Sequence, residues 1–346
     1  MKKSLPKKIL KLLGYALLLF LTFFLFKVFV PRTYDAPQVQ KRESTKYWDL
    51  PTGSRIGYTL ISAKGVKKPC PVIYLHGGPG GPIYNRNIAN LTPLSEDGYD
   101  VYLYDQIGCG QSSLLDNIEE YTADRHKKDL EEIIKKTGAK KVILIAQSWG
   151  AILATLFVAD NPEKIEKIIF TGPGPIMPKR SELADLPAPD SLHLKVPLFS
   201  NADANRATQN IRNVVIMFWA RTFGCKLAPD KEVNDFVWTE RNLSNKAMVC
   251  DTTKAVKAEA GAGYYVWVMT TNSMDEVQDP RPKLKNSSIP ILIMKGQCDN
   301  QKWGYLTEYM EFFTDHELAI IPNAGHGISI EQPDLYLKTI RDFLAK

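Results

Sequence analysis

One serine, set between a buried strand and a buried helix, limits what this chain can become more than anything else in it. Val142 to Ala146 is short, apolar and rich in β-branched residues, the pattern of a strand covered on both faces. Gly150 to Asp160 is rich in Ala and Leu and predicts a buried helix. Ser148 lies between them, with Ala146 two residues before it and Gly150 two residues after. A strand that turns sharply into a helix around one residue needs small neighbours on both sides, because larger ones collide. Such a turn lifts the serine oxygen clear of the sheet. It also aims the backbone N–H of Trp149 at the place where an oxyanion would form, at the positive end of a helix. Ala146 stands where the pattern Gly-x-Ser-x-Gly has its first glycine, and Ala is still small. The plainer alternative is a strand, a loop and a helix capped by a serine.

The surrounding text alternates strand and helix patterns with short connections. Tyr47 to Ile61, Val72 to Leu75, Tyr99 to Asp105, Lys164 to Phe170, Ile289 to Lys295 and Glu317 to Ile321 read as strands. Thr122 to Thr137, ended by Gly138, and Glu331 to Leu344 read as helices. This alternation predicts an α/β fold with a mostly parallel, doubly wound sheet. It fails between Pro173 and Ser288, where the text is helical or irregular and carries aromatic clusters. The expected division is therefore a core of residues 47–172 and 289–346 and an inserted helical lid of residues 173–288.

The N-terminus has a different character. Residues 12–30 are almost wholly apolar, broken by Lys27, and would span about 28 Å as a helix, near the hydrocarbon thickness of a bilayer. Lys2, Lys3, Lys7, Lys8 and Lys11 precede them and supply five of the six net positive charges. A basic flank on one side predicts a cytoplasmic tail (residues 1–11), a transmembrane anchor (12–30), a linker (31–46) and an extracytoplasmic domain. A cleaved signal peptide would want a small-x-small site, which Phe29-Val30-Pro31 does not supply; a lipoprotein would want a cysteine just after the apolar run. Without the five lysines no basic patch implies nucleic acid. The cysteines are spread out, with no Cys-x-x-Cys for a zinc site, and no metal or cofactor is expected. Cys225 and Cys250 fall in one region and could pair outside the cytoplasm.

A serine hydroxyl needs a base to take its proton and an acid to orient that base. In doubly wound hydrolases the order is Ser, then Asp or Glu, then His, each at the end of a strand. Ser148, Asp299 and His326 have that order, and each follows an apolar run. His76-Gly-Gly-Pro-Gly-Gly81 lacks the ending of a phosphate loop and reads as exposed backbone that offers N–H groups.

These motifs carry a resemblance. His76-Gly-Gly-Pro-Gly80, Tyr104-Asp-Gln-x-Gly-x-Gly-x-Ser112, Gln147-Ser-Trp-Gly150 and Ala324-Gly-His326 resemble the prolyl aminopeptidase (proline iminopeptidase) family of α/β-hydrolases. The similarity runs from Tyr47 to Lys346 and is weak over the lid. It implies Ser148 as nucleophile, Asp299 and His326 as its partners, and Gly78 with Trp149 as amide donors to the oxyanion. It also implies a small peptide, amide or ester substrate. The departures bear on specificity. Ile107 replaces the Arg of Asp-Gln-Arg-Gly, and Ala146-Gln147 replace Gly-Gly before the serine. The family's lid carries glutamates that hold a free amino group. Here Phe223, four residues after Trp219, stands where one would be, and Glu259 is displaced relative to Tyr264-Tyr265. Trp219, Phe223, Glu259 and Tyr264 are thus the expected substrate-binding residues. The readings that follow are an aminopeptidase-like serine hydrolase, an esterase or lactonase on the same scaffold, or an inactive binding protein.

Overall fold

A computed structural model describes residues 7–208 and 210–346. Lys2 and Lys3 of the basic tail lie outside the described residues. The eight strands are β1 (Thr45–Asp49), β2 (Arg55–Ile61), β3 (Val72–Leu75), β4 (Val101–Tyr104), β5 (Val142–Gln147), β6 (Ile165–Thr171), β7 (Ile291–Gly296) and β8 (His316–Ile321). They form one sheet in the order β1-β2-β4-β3-β5-β6-β7-β8. β2 is antiparallel to β1 and to β4, and every other pair is parallel. The stretch from Tyr47 to Ile61 is a hairpin that turns at Pro51-Thr-Gly53, where Gly53 takes a positive φ.

The helices are α1 (Lys7–Phe29), α2 (Asn85–Leu91), α3 (Ala123–Thr137), α4 (Trp149–Asp160), α5 (Asn201–Thr208), α6 (Ile211–Phe223), α7 (Asp230–Ser244), α8 (Tyr264–Ser273), α9 (Arg281–Leu284), α10 (Trp303–Phe312), α11 (Ile328–Glu331) and α12 (Pro333–Leu344). α3 starts where Thr122 accepts a hydrogen bond from Arg125 N and stops at Gly138, whose φ of 72° an L side chain rarely adopts.

The period of two along the strands sorts the core into two layers. Ile73, Leu75, Leu144 and Ala146 face one way and pack with Leu130, Ile133, Leu153 and Phe157 of α3 and α4. Val72, Tyr74, Ile143 and Ile145 face the other way and pack with Tyr336, Ile340 and Phe343 of α12. Each Val, Leu, Ile or Phe among them contributes about 1.5–3 kcal/mol on burial. The central strands are therefore covered on both faces, which is why they read as unbroken apolar runs.

From β6 to β7 the described residues form helices and tight turns and no strand. This segment is pinned back to the core at its end. Arg281 donates to the fully buried Glu308 of α10 at 2.8 Å and to the carbonyls of Ile176 and Pro178 at 2.9 Å.

α1 is 23 residues long, apolar and exposed along nearly its whole length. Its C-terminal end meets α6 and α7. Arg212 donates to the Val28 carbonyl and, at 2.6 Å, to Glu232, which also accepts from Arg32 N at 3.0 Å. α6 turns Ile211, Val214 and Phe218 to the outside, one stripe at helical spacing.

Candidate active site

β5 delivers Ser148 into a strained turn. Its φ of 53° and ψ of −113° lie outside the regions that L-residues favour, and α4 starts at the next residue. The small neighbours hold the turn together. A Cβ at position 150 would lie 2.2 Å from the Leu75 carbonyl oxygen, so only glycine lets α4 pass β3 this closely. Ala146 is fully buried and pairs in register with Leu75.

β7 and β8 supply the other two groups. Asp299 follows β7 and His326 follows β8, and His326 Nδ1 lies 2.9 Å from Asp299 Oδ1. A carboxylate only accepts, so Nδ1 carries the proton and Nε2 is left with a free lone pair. Asp299 Oδ1 also accepts from Gln301 N at 2.9 Å. Burial pushes the Asp299 carboxyl up; the charges of His326 and Lys295 and the bonds it accepts more than offset that, so it titrates below its ordinary value. Lys295 is itself buried, with Nζ 3.7 Å from Asp299 Oδ2 and 2.7 Å from the Gln301 carbonyl. Gly172, just after β6, closes against this pair: a Cβ there would touch His326 Nδ1 at 2.9 Å.

Ser148 and His326 line one cavity of about 340 Å³, together with Gly77 and Gly78 of the Gly-rich turn. Gly77 runs beside the serine, since a Cβ there would meet Ser148 Cβ at 3.2 Å. Gly78 has a φ of 138°, and a Cβ there would lie 2.6 Å from Gly81 N, so the turn admits no side chain at that point. The sheet edge thus gathers a hydroxyl, an imidazole with its carboxylate, and a turn of bare backbone. That set can support acyl transfer.

A model of the α/β-hydrolase fold matches residues 71–333 of the sequence. The chain belongs to the α/β-hydrolase fold family. Among its relatives is a proline iminopeptidase from Saccharolobus solfataricus, 23% identical over 298 residues, an alignment that covers 84% of this chain and 89% of that one. Another is a proline iminopeptidase from Heyndrickxia coagulans, 26% identical over 302 residues, covering 85% and 96% of the two chains. The resemblance to the prolyl aminopeptidase family rests on these relatives as well as on the motifs. Solved structures with the same fold include a proline iminopeptidase from Mycobacterium smegmatis, with a TM-score of 0.57 and 19% identity over 87% of this chain and 98% of that one. A thermophilic esterase from Thermogutta terrifontis matches equally, with a TM-score of 0.59 and 18% identity over the same shares.

Within this α/β-hydrolase, a network that the motifs only outlined ties the site together. His76 Nδ1 donates to the Gly77 carbonyl at 3.0 Å, and Nε2 accepts from Gln106 N at 2.9 Å. Burial, with the fields of Arg241 and Arg42, pushes the His76 imidazole down to about 4, so it is neutral at pH 7. The Gln106 side chain donates to the His76 carbonyl at 3.1 Å and accepts from Trp149 Nε1 at 2.8 Å. Gln106 therefore couples the Gly-rich turn to the residue after Ser148. Asp105 fixes the same loop, accepting from Ile83 N at 2.7 Å and pairing with Arg42 at 2.5 Å.

The four lid residues expected to bind substrate line none of this cavity. Phe223 is exposed and packs on Trp219, whose indole N–H donates to Cys225. Tyr264 is buried and donates to the Asn213 carbonyl at 2.9 Å. Glu259 accepts from Asn85 N at 3.0 Å, at the start of α2. Trp219 and Phe223 lie outside the cavity because they pack on each other towards the exposed end of α6. The residues between β6 and β7 that do line the cavity come from the start of α5, from α7 and from the segment after α7, among them Asn201, Arg241, Met248 and Val249.

The cysteine pairing is also corrected. Cys250 is bonded to Cys298, with Cα atoms 5.1 Å apart, and Cys225 is free and exposed. Glu331 draws the Cys250 loop inward, accepting from Cys250 N, Asp251 N and Gly325 N. The disulfide joins the segment between β6 and β7 to the residue next to Asp299. Among the described residues no cluster of three His, Cys, Asp or Glu is arranged to hold a metal ion.

Proposed function

We propose that the chain is a membrane-anchored serine hydrolase that cleaves small esters or amides through an acyl-enzyme. The observation that carries this reading is the shared cavity of Ser148 and His326, with His326 already bonded to a buried carboxylate. In the first step the Ser148 oxygen bonds to the substrate carbonyl carbon while His326 Nε2 takes the hydroxyl proton. The imidazolium, held by Asp299, returns that proton to the leaving group as the bond breaks. Water repeats the sequence and releases the acid. Trp149 N–H and the Gly78 amide are the proposed donors to the oxyanion. A fluorophosphonate probe should label the protein at Ser148 and nowhere else. Absence of labelling on folded protein, or labelling at another residue, would overturn the reading.

The relatives named as proline iminopeptidases favour aminopeptidase-like cleavage. A specific observation favours the esterase or lactonase reading instead: no Asp or Glu is among the described residues that line the cavity. A substrate ammonium would enter without a partner, which costs several kcal/mol.

For the anchor, the support is the length and apolar exposure of α1, the lysines on one side of it, and a disulfide that suits an oxidising compartment. Protease added to intact spheroplasts should remove the hydrolase domain. Full protection, or a mature chain that starts after residue 30, would refute the anchor.

A further inference from the structure

Two arginines face the candidate cavity with their charges unspent. Arg86, at the start of α2, and Arg241, near the end of α7, both line it. Neither forms an ion pair among the described residues, although most arginines of this chain do. Arg86 lies over the Tyr84 ring, 4.0 Å from its centroid, with no side-chain hydrogen bond among the described residues. Arg241 spends one donor on the Tyr84 hydroxyl at 3.1 Å. Its Nη1 sits against the Gly-rich turn, 3.2 Å from where a Cβ of Gly81 would be. Tyr84 thus holds both guanidinium groups, one by its ring and one by its oxygen.

Two carboxylates of this region are engaged elsewhere. Glu259 caps α2 through Asn85 N, and Glu331 is spent on three backbone amides. Glu240, beside Arg241 in sequence, feels the Arg241 charge but forms no ion pair with it among the described residues and does not line the cavity. Two guanidinium groups without an ion-pair partner in a half-enclosed space raise the local concentration of anions and repel cations. A guanidinium also presents a fork of N–H donors that matches a carboxylate in plane.

We propose that Arg86 and Arg241 form an anion subsite, and that the substrate is an ester or amide carrying a carboxylate beyond its scissile bond. The proposal rests on the serine-hydrolase reading and replaces a free-amine requirement with its electrostatic opposite.

Two matched pairs of esters test it on the full-length protein in detergent. In the first, the mono-p-nitrophenyl ester of glutaric acid is compared with the p-nitrophenyl ester of pentanoic acid. In the second, m-carboxyphenyl acetate is compared with phenyl acetate, which moves the carboxylate to the leaving side. kcat/KM should favour the carboxylate in at least one pair by roughly ten- to a hundredfold, the scale of one charge-assisted hydrogen bond. The p-nitrophenyl ester of γ-aminobutyric acid should be poorer than either acyl ester of the first pair. Arg86→Met and Arg241→Met should each pull the favoured ratio toward one. Glutarate should raise the melting temperature of Ser148→Ala, and less so when either arginine is replaced, a readout that needs no turnover.

Ratios at or below one in both pairs would overturn the subsite, as would ratios unmoved in both arginine variants. Inorganic phosphate that stabilised Ser148→Ala more than glutarate would overturn the choice of carboxylate. A chain labelled by fluorophosphonate that shows no anion preference loses this inference and keeps the hydrolase reading. A chain that is not labelled loses both.

Discussion

Ser148→Ala is expected to reduce kcat for any ester substrate by a factor approaching about 10⁶, with the fold intact. The oxygen removed is the proposed attacking atom, and the remaining residues have no second hydroxyl in its place. Alanine fits the turn sterically, and the surrounding packing is set by Gly150 and Ala146. A positive φ at residue 148 remains a cost for Ala as it was for Ser. Labelling by fluorophosphonate should vanish together with turnover, while the thermal melt stays close to that of the wild type. A purified Ser148→Ala protein that kept near-wild-type kcat would show that the chemistry lies elsewhere.

Asp299→Asn should cost about 10⁴-fold in kcat, through the tautomer of His326. In the native pair the carboxylate forces the proton onto Nδ1 and leaves Nε2 free to accept one from Ser148. An amide at position 299 can donate in its turn. His326 would then hold its proton on Nε2, where it cannot act as a base. The change also leaves Lys295 buried beside a neutral group. Its sign on stability follows from the pKa. Asp299 titrates below its unfolded value, so it contributes stability above that value and loses it as the pH falls. The variant should therefore be less stable at neutral pH and less sensitive to acid below pH 4, as read by urea melts. An Asp299→Asn enzyme within tenfold of wild type in kcat would remove Asp299 from the proposed machinery.

The sheet and the serine turn were legible because local chemistry decides them. β-Branched runs covered on both faces can be little but central strands, and Ala146 and Gly150 have no freedom to be large. Asp299 and His326 followed from their positions after β7 and β8. The cavity wall was not legible, because it is assembled from distant parts. Arg86 comes from the start of α2, Arg241 from α7, and Met248 from the turn after it. The family resemblance pointed instead to Trp219 and Phe223, but nothing in it tells which face of α6 looks outward. The disulfide was missed for the same reason. Cys225 and Cys250 fall in one region of the sequence, yet it is Glu331, from the far end of the chain, that seats Cys250 beside Cys298.

The hold of Arg212 on Val28 changes how such an enzyme would meet its substrate. With α1 in a bilayer, α6 would stand within about one helix diameter, roughly 10–12 Å, of the point where the chain leaves the lipid. An untethered enzyme searches a volume. This one would search a plane, and its encounter rate would follow the number of substrate molecules per unit area of surface. A compound that partitions weakly toward that surface would then be turned over as though it were concentrated, and a fully dissolved one as though it were scarce.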